Sequence, residues 1–167
     1  MIVLGIDPGT AITGYGVVAR DTHGPPKLLE CGVIRTPARE SLPARLLGIH
    51  EAITELIARH KPDVVAIEDV FYAKNVRTTV VLGHARGVAM LAAEQAGIAV
   101  HEYPPSSVKK SVCGSGNATK LQVQFMVTQL LRLKRAPQPA DAADGVAAAL
   151  AHIMGSHVER IVRAARS

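Results

Sequence analysis

At 167 residues the chain has room for one compact core, because a domain of this size buries roughly 70% of its unfolded surface, and this argues against a two-domain enzyme. A hydrophobic fraction of 48% with 20% charged residues excludes disorder, collagen and a coiled coil. Nineteen Lys and Arg against fourteen Asp and Glu give a formal charge of +5, which makes a polyanion such as nucleic acid a plausible partner, although a basic balance also serves solubility alone.

Residues 2–7 (IVLGID) form a β-branched run stopped by Pro8-Gly9, and 14–19 and 28–34 read as two more strands around the turn His23-Gly24-Pro25-Pro26. Short links make these three an antiparallel meander. From 42 to 57 the apolar positions Leu42, Leu46, Ile49, Ile53, Leu56 and Ile57 advance by threes and fours, which predicts an amphipathic helix ending before Pro62. The run 64–68 (VVAIE) is short and continuously apolar, as a central parallel strand covered on both faces would be. A helix at about 76–96, a strand at 98–103, a glycine-rich loop at 114–117 and helices at about 118–133 and 140–154 complete the order βββ-α-β-α-β-αα, with Pro137 and Pro139 between the last pair. This is an α/β chain: a five-stranded mixed sheet, three strands antiparallel and then parallel ones, flanked by helices. One domain is expected over 1–156, followed by a basic tail over 157–167 with Arg160, Arg163 and Arg166 spaced by three.

Cys31 and Cys113 lie far apart without a C-x-x-C pair, so neither a disulfide framework nor a zinc site is expected and a reduced, cytoplasmic chain fits. The six residues before Asp7 contain no basic leader segment, and no stretch approaches the roughly 20 apolar residues of a membrane span.

Four carboxylates stand at element ends: Asp7 closing the first strand, Glu68 closing the fourth, and Asp141 and Asp144 near the start of the last helix. The last two, three apart, project from one helix face and repel unless a cation intervenes. Hard oxygen donors in this arrangement suit Mg²⁺ or Mn²⁺. Blander readings exist: Asp7 before Pro-Gly is an ordinary turn residue, and Asp141 suits a helix first turn. Glu68 is harder to dismiss, because the carboxyl edge of an open α/β sheet is where ligands bind. Asp69 points to the opposite face and reads as a solvated neighbour.

The segments G-I-D-P-G-T-x-x-T-G-Y-G (5–16), A-I-E-D-V-F (66–71), A-K-N (73–75), L-G-x-A-R-G-V (82–88), V-K-K-S-V-x-G-S-G-N-A-T-K (108–120) and A-D-A-A-D (140–144) together resemble the RuvC family of bacterial Holliday-junction resolvases, over about 150 residues in the family's order. The resemblance implies a ribonuclease-H-like fold, a homodimer, Mg²⁺-dependent symmetric cleavage of four-way DNA junctions that leaves ligatable nicks, and cooperation with the RuvA and RuvB branch-migration machinery. It makes Asp7, Glu68, Asp141 and Asp144 the catalytic and metal-binding carboxylates. Phosphodiester hydrolysis by two divalent ions about 3.5–4 Å apart agrees with that set, with Asp7 expected to bridge the ions.

Lys109, Lys110 and Lys120 bracket Gly114-Ser115-Gly116-Asn117, a stretch of little side-chain bulk that a phosphate can approach. The resemblance places Lys109 and Lys120 beside the scissile phosphate, where a fixed cation offsets developing charge. Phe71 and Tyr72 are adjacent just past Glu68 and cannot both face a core; the resemblance makes Phe71 a base-stacking residue. Tyr72, Lys74 and Arg77 are equally loop-packing or phosphate-contacting groups, whereas Phe125 and Tyr103 are expected in the core. The small residues Gly83, Ala85, Gly87, Ala89, Ala92 and Ala93 serve either packing on the sheet or a two-fold helix contact, and the resemblance favours the latter. Gly145 inside a helix points to a close backbone contact.

Three rival readings remain. Gly5-Ile6-Asp7-Pro8-Gly9-Thr10 is similar to the phosphate loop of the sugar kinase, Hsp70 and actin superfamily, whose members need two such domains. A compact ribonuclease-H-like nuclease of ribosomal RNA processing shares the first motif but not the lysine-bracketed glycines. A non-catalytic basic DNA-binding module would bind junctions without nicking them.

Overall fold

The computed structural model describes residues 1–22, 24–69 and 76–164, with side chains as far as Gly155. The elements are β1 (Ile2–Asp7), β2 (Ile12–Ala19), β3 (Lys27–Arg35), α1 (Leu42–His60), β4 (Val64–Glu68), α2 (Val76–Gln95), β5 (Ala99–Tyr103), α3 (Pro105–Cys113), α4 (Lys120–Leu130) and α5 (Ala140–Ala164). The sheet order is β3-β2-β1-β4-β5. β1–β2 and β2–β3 pair antiparallel, and β1–β4 and β4–β5 pair parallel. This is the mixed sheet expected from the pattern.

Strand alternation sorts the side chains into two cores. Leu4, Ile6, Val17, Val65 and Ile67 pack under α1 and α2, whose buried faces are Ile49, Ile53, Leu56 and Ile57 and Ala85, Ala89, Ala92 and Ala93. Val3, Val18 and Ala66 face the other way, against α3, α4 and α5. Continuing the period, Asp7 and Glu68 turn toward α5, whereas Asp69 turns toward α2.

Glycines set how closely α5 approaches. Gly5 and Gly16 are cross-strand partners, and Asp7 pairs with Gly14. A Cβ on Gly5 would lie 2.1 Å from the Gly145 carbonyl oxygen, one on Gly14 2.0 Å from that of Asp141, and one on Gly145 2.5 Å from Tyr15 Cα. Helix α5 therefore rests backbone to backbone on β1 and β2, as Gly145 foretold. Its alanines, buried from Ala147 to Ala151, keep that packing thin.

The third helix of this face, α3, is absent from the expected order. Its nine residues carry only Val108 and Val112 as buried anchors, too little periodicity to stand out; Pro105 sits in its first turn, where a missing N–H is harmless. Gly114 ends it at φ 77°, its N–H donating to the Lys110 carbonyl, so part of the glycine-rich loop is a helix terminator. None of the described helices is long and apolar enough to cross a membrane.

Candidate active site

Since Ile6 pairs with Ile67 in parallel register, Asp7 and Glu68 end neighbouring strands at the same edge of the sheet. The glycine-paved contact brings the head of α5, with Asp141 and Asp144, over that edge. Thr119 caps α4 through a capping box with Gln122, which starts the helix at Lys120 and aims this lysine across at α5. A cavity of about 200 Å³ results, lined by Asp7, Glu68 and Asp144 with Lys109, Lys120, Val108, Val123 and Ala147. Asp141 is not part of that lining but reaches it through Lys120. The Lys120 Nζ lies 2.8 Å from both Asp141 Oδ1 and Asp144 Oδ2.

Burial, followed by repulsion from Asp144, pushes the Asp7 carboxyl up to about 7, against a smaller pull from Lys120. Burial, then Asp7 and Asp144, pushes Glu68 up to about 8, with Lys109 and Lys120 opposing. Asp144 is also raised by burial, although its hydrogen bond to Lys120 works the other way. The same bonds to Asp141 and Asp144 hold the Lys120 ammonium firmly protonated. The pocket is thus short of positive charge.

Among the described residues no three ligand side chains stand close enough to grip one ion, and the Lys120 ammonium occupies the space between Asp141 and Asp144. The donors nonetheless fit a divalent cation: all are hard carboxylate oxygens, and Asp7 and Glu68 have no hydrogen bond or ion pair among the described residues to neutralise them.

Lys109 lines the cavity, whereas Lys110, one step along α3, is exposed outside it. Arg77 lies exposed in the first turn of α2. Phe71, Tyr72 and Lys74 lie outside the described residues. Phe125 corrects an expectation: it is 61% exposed, because α4 packs through Val123 and Val127 and turns 125 outward. Tyr103 does pack against the core.

Asp69 is also not merely solvated. Its Oδ1 lies 3.3 Å from Arg86 Nε, and the same guanidinium pairs with Glu102. The Asp69 N–H donates to the Tyr103 carbonyl at 2.8 Å. Sequence reasoning missed Arg86, although two acids at the same edge of adjacent strands, Asp69 just past β4 and Glu102 near the end of β5, ask for a cation on the α2 face.

A mixed sheet with acids at the ends of β1 and β4 and at the head of the last helix is the ribonuclease-H-like nuclease architecture. The family profile of crossover junction endodeoxyribonuclease RuvC matches residues 3–152. The chain belongs to the RuvC family. Its relatives include the crossover junction endodeoxyribonuclease RuvC of Chloroflexus aggregans, 49% identical over 152 residues and 91% of this chain and 92% of that protein. That of Salinispora arenicola is 50% identical over 153 residues, 92% of this chain and 87% of the relative. Among solved structures, Thermus thermophilus RuvC in complex with Holliday junction substrate superposes with a TM-score of 0.89 at 36% identity, covering 95% of this chain and 96% of the other. The yeast mitochondrial Holliday junction resolvase Ydc2, at TM-score 0.67 and 14% identity over 96% of this chain and 84% of its own, shares the fold.

Proposed function

We propose that this chain is a homodimeric, structure-selective endonuclease that resolves Holliday junctions by divalent-metal-dependent hydrolysis, leaving 5′-phosphate and 3′-hydroxyl ends. One observation carries the reading: carboxylates from β1, β4 and α5 and two lysines from α3 and α4 meet at one cavity. Family membership and a relative solved with junction DNA supply the substrate. The nuclease domain spans 1–156, the basic tail follows over 157–167, and RuvA and RuvB are the partners in the cytoplasm.

Asp7, Glu68, Asp141 and Asp144 would hold the ions, two per site and Mg²⁺ or Mn²⁺; the Asp7 carboxyl neighbours both Glu68 and the α5 acids. Bound there, divalent ions supply Lewis acidity at the phosphate and activation of water. The chain's own groups do the remainder. Lys120 neutralises Asp141 and Asp144 in the free protein, and its ammonium would offset negative charge on a phosphate held at the cavity. Lys109 faces Glu68 from α3 and fixes a second positive charge at the mouth, while Val108, Val123 and Ala147 keep the inner wall dry, which strengthens each charge interaction.

Helix α2 supports the dimer. Its outer face presents Val76, Val80, Gly83, Gly87 and Leu91 to solvent; Val76, Val80 and Leu91 are 78%, 54% and 52% exposed, and a Cβ on Gly83 or Gly87 would meet nothing within 4 Å. Such a strip suits close contact with its own copy, and a two-fold axis delivers one site to each of two equivalent strands.

The test is cleavage of a synthetic mobile four-way junction beside a linear duplex of the same sequence, with and without Mg²⁺ or Mn²⁺. Paired nicks in the junction alone, with metal only, are the expected result; equal cutting of both substrates would instead make the chain a general nuclease.

A further inference from the structure

Between Pro104 and Pro139 the chain carries Lys109, Lys110, Lys120, Arg132, Lys134 and Arg135 and no aspartate or glutamate. The remainder holds thirteen basic and fourteen acidic residues, so the whole positive excess resides in this stretch. It folds as α3, the glycine loop, α4 and the link to α5. Lys109 and Lys120 serve the cavity. The side chains of Arg132, Lys134 and Arg135, beyond the far end of α4, have no hydrogen bond or ion pair among the described residues, and all three are exposed.

Between these two basic ends α4 turns apolar side chains outward. Leu121 is 76% exposed and Phe125, one turn on, 61%. Of the Phe and Tyr residues described, Tyr15 and Tyr103 pack against core clusters and Phe125 does not. Phe125 walls a groove of about 390 Å³ with Met126, Ser115, Asn117 and Gln122. Gln122 Oε1 already accepts the Thr119 N–H at 2.8 Å, which leaves its NH₂ as a donor, while the Asn117 side chain offers both donor and acceptor. An aromatic wall with an amide rim is the chemistry that takes a nucleobase, stacked on its face and hydrogen-bonded at its edge.

We propose that the outer face of α4 is a second nucleic-acid contact, continuous with the catalytic cavity, along which the DNA backbone runs from Lys120 to Arg132, Lys134 and Arg135 while an unstacked base lies on Phe125. The eleven residues of α4 span about 16 Å, the reach of a few nucleotides. A strip with cations at both ends and no acid within its own stretch of chain, where only the Lys120 end meets carboxylates, those of Asp141 and Asp144, matches a polyanion. The inference rests on the junction-nuclease reading and adds to it a place where sequence next to the cut is read.

The test measures equilibrium binding to an intact four-way junction, in Ca²⁺ to prevent cutting, across a salt series. It compares wild type, Phe125→Ala, the pair Lys134→Gln/Arg135→Gln, and a charge-matched control, Lys27→Gln/Lys61→Asn. Lys27 opens β3 and Lys61 caps α1, at the end of the sheet away from the acids. The lysine–arginine pair is expected to lower the slope of log affinity against log salt by roughly two, and Phe125→Ala to weaken binding about tenfold, with the control near wild type. A 2-aminopurine scan beside the cut should find one position quenched by wild type and bright with Phe125→Ala. Variants that keep wild-type affinity, salt slope and quenching overturn the proposal, and so does a change confined to sedimentation, which would give the strip to a protein contact. A wild-type protein that binds no junction brings down the functional reading itself, and this inference with it.

Discussion

Lys120 Nζ bridges Asp141 Oδ1 and Asp144 Oδ2 at 2.8 Å each, so the first residue of α4 acts as the counter-ion of two acids near the start of α5. On the proposed mechanism a lysine in that position shares its oxygens with the metal site and supplies positive charge for the phosphate. Lys120→Met is therefore expected to lower the single-turnover cleavage rate about 100-fold while leaving junction affinity within a few-fold. Rapid-quench kinetics beside anisotropy titrations check this split, and an unchanged rate removes the role.

The raised carboxyls give the metal-free protein a distinctive pH dependence. Asp7 at about 7 and Glu68 at about 8 hold protons in the folded state that the unfolded chain releases near pH 4. Between those values the folded state binds more protons, so these two groups subtract stability as pH rises from about 4 to about 8. Asp7→Asn and Glu68→Gln should stabilise the metal-free protein at pH 8, hardly at all at pH 4, and abolish cleavage. Urea unfolding across pH with EDTA provides the measurement; a variant less stable than wild type at pH 8 contradicts the electrostatic reading.

Gly145 keeps the α5 acids in reach of the strands. A methyl group there meets Tyr15 backbone atoms at 2.5–2.7 Å, and backbone cannot rotate aside. Gly145→Ala is expected to destabilise the fold by about 1–3 kcal/mol and to reduce cleavage at temperatures where it remains folded. Gly87→Ala, open to solvent on α2, is the comparison: it should leave the monomer fold intact or slightly stabilised.

The α2 strip makes the dimer testable by charge. Introducing Val80→Asp and Leu91→Glu together removes two exposed apolar side chains worth about 1.5–3 kcal/mol each when buried, and places like charges across the axis. Sedimentation should show monomers, and junction cleavage should change from paired to single nicks. Dimers that persist would locate the interface elsewhere.

Much of this arrangement was legible in the residues. VVAIE reads as a buried parallel strand over 64–68 and is one, and Asp7 and Glu68, expected at strand ends, close β1 and β4. Convergence of the four acids was not legible from spacing alone: it depends on Gly5, Gly14, Gly16 and Gly145 meeting, which follows only when strand register and the path of α5 are known. Helix α3 escaped because two buried valines in nine residues give no period. Arg86 escaped because its partners, Asp69 and Glu102, become neighbours only through the β4–β5 pairing, and Phe125 because apolar character does not report which way a helix faces.

The most direct test of the carboxylate site is Mn²⁺ binding followed by electron paramagnetic resonance, on wild type and on Asp7→Asn, Glu68→Gln, Asp141→Asn and Asp144→Asn, with junction cleavage scored in parallel. All four substitutions should weaken Mn²⁺ binding and suppress cleavage while junction affinity persists. A single one of them that keeps both wild-type Mn²⁺ affinity and wild-type cleavage contradicts the account.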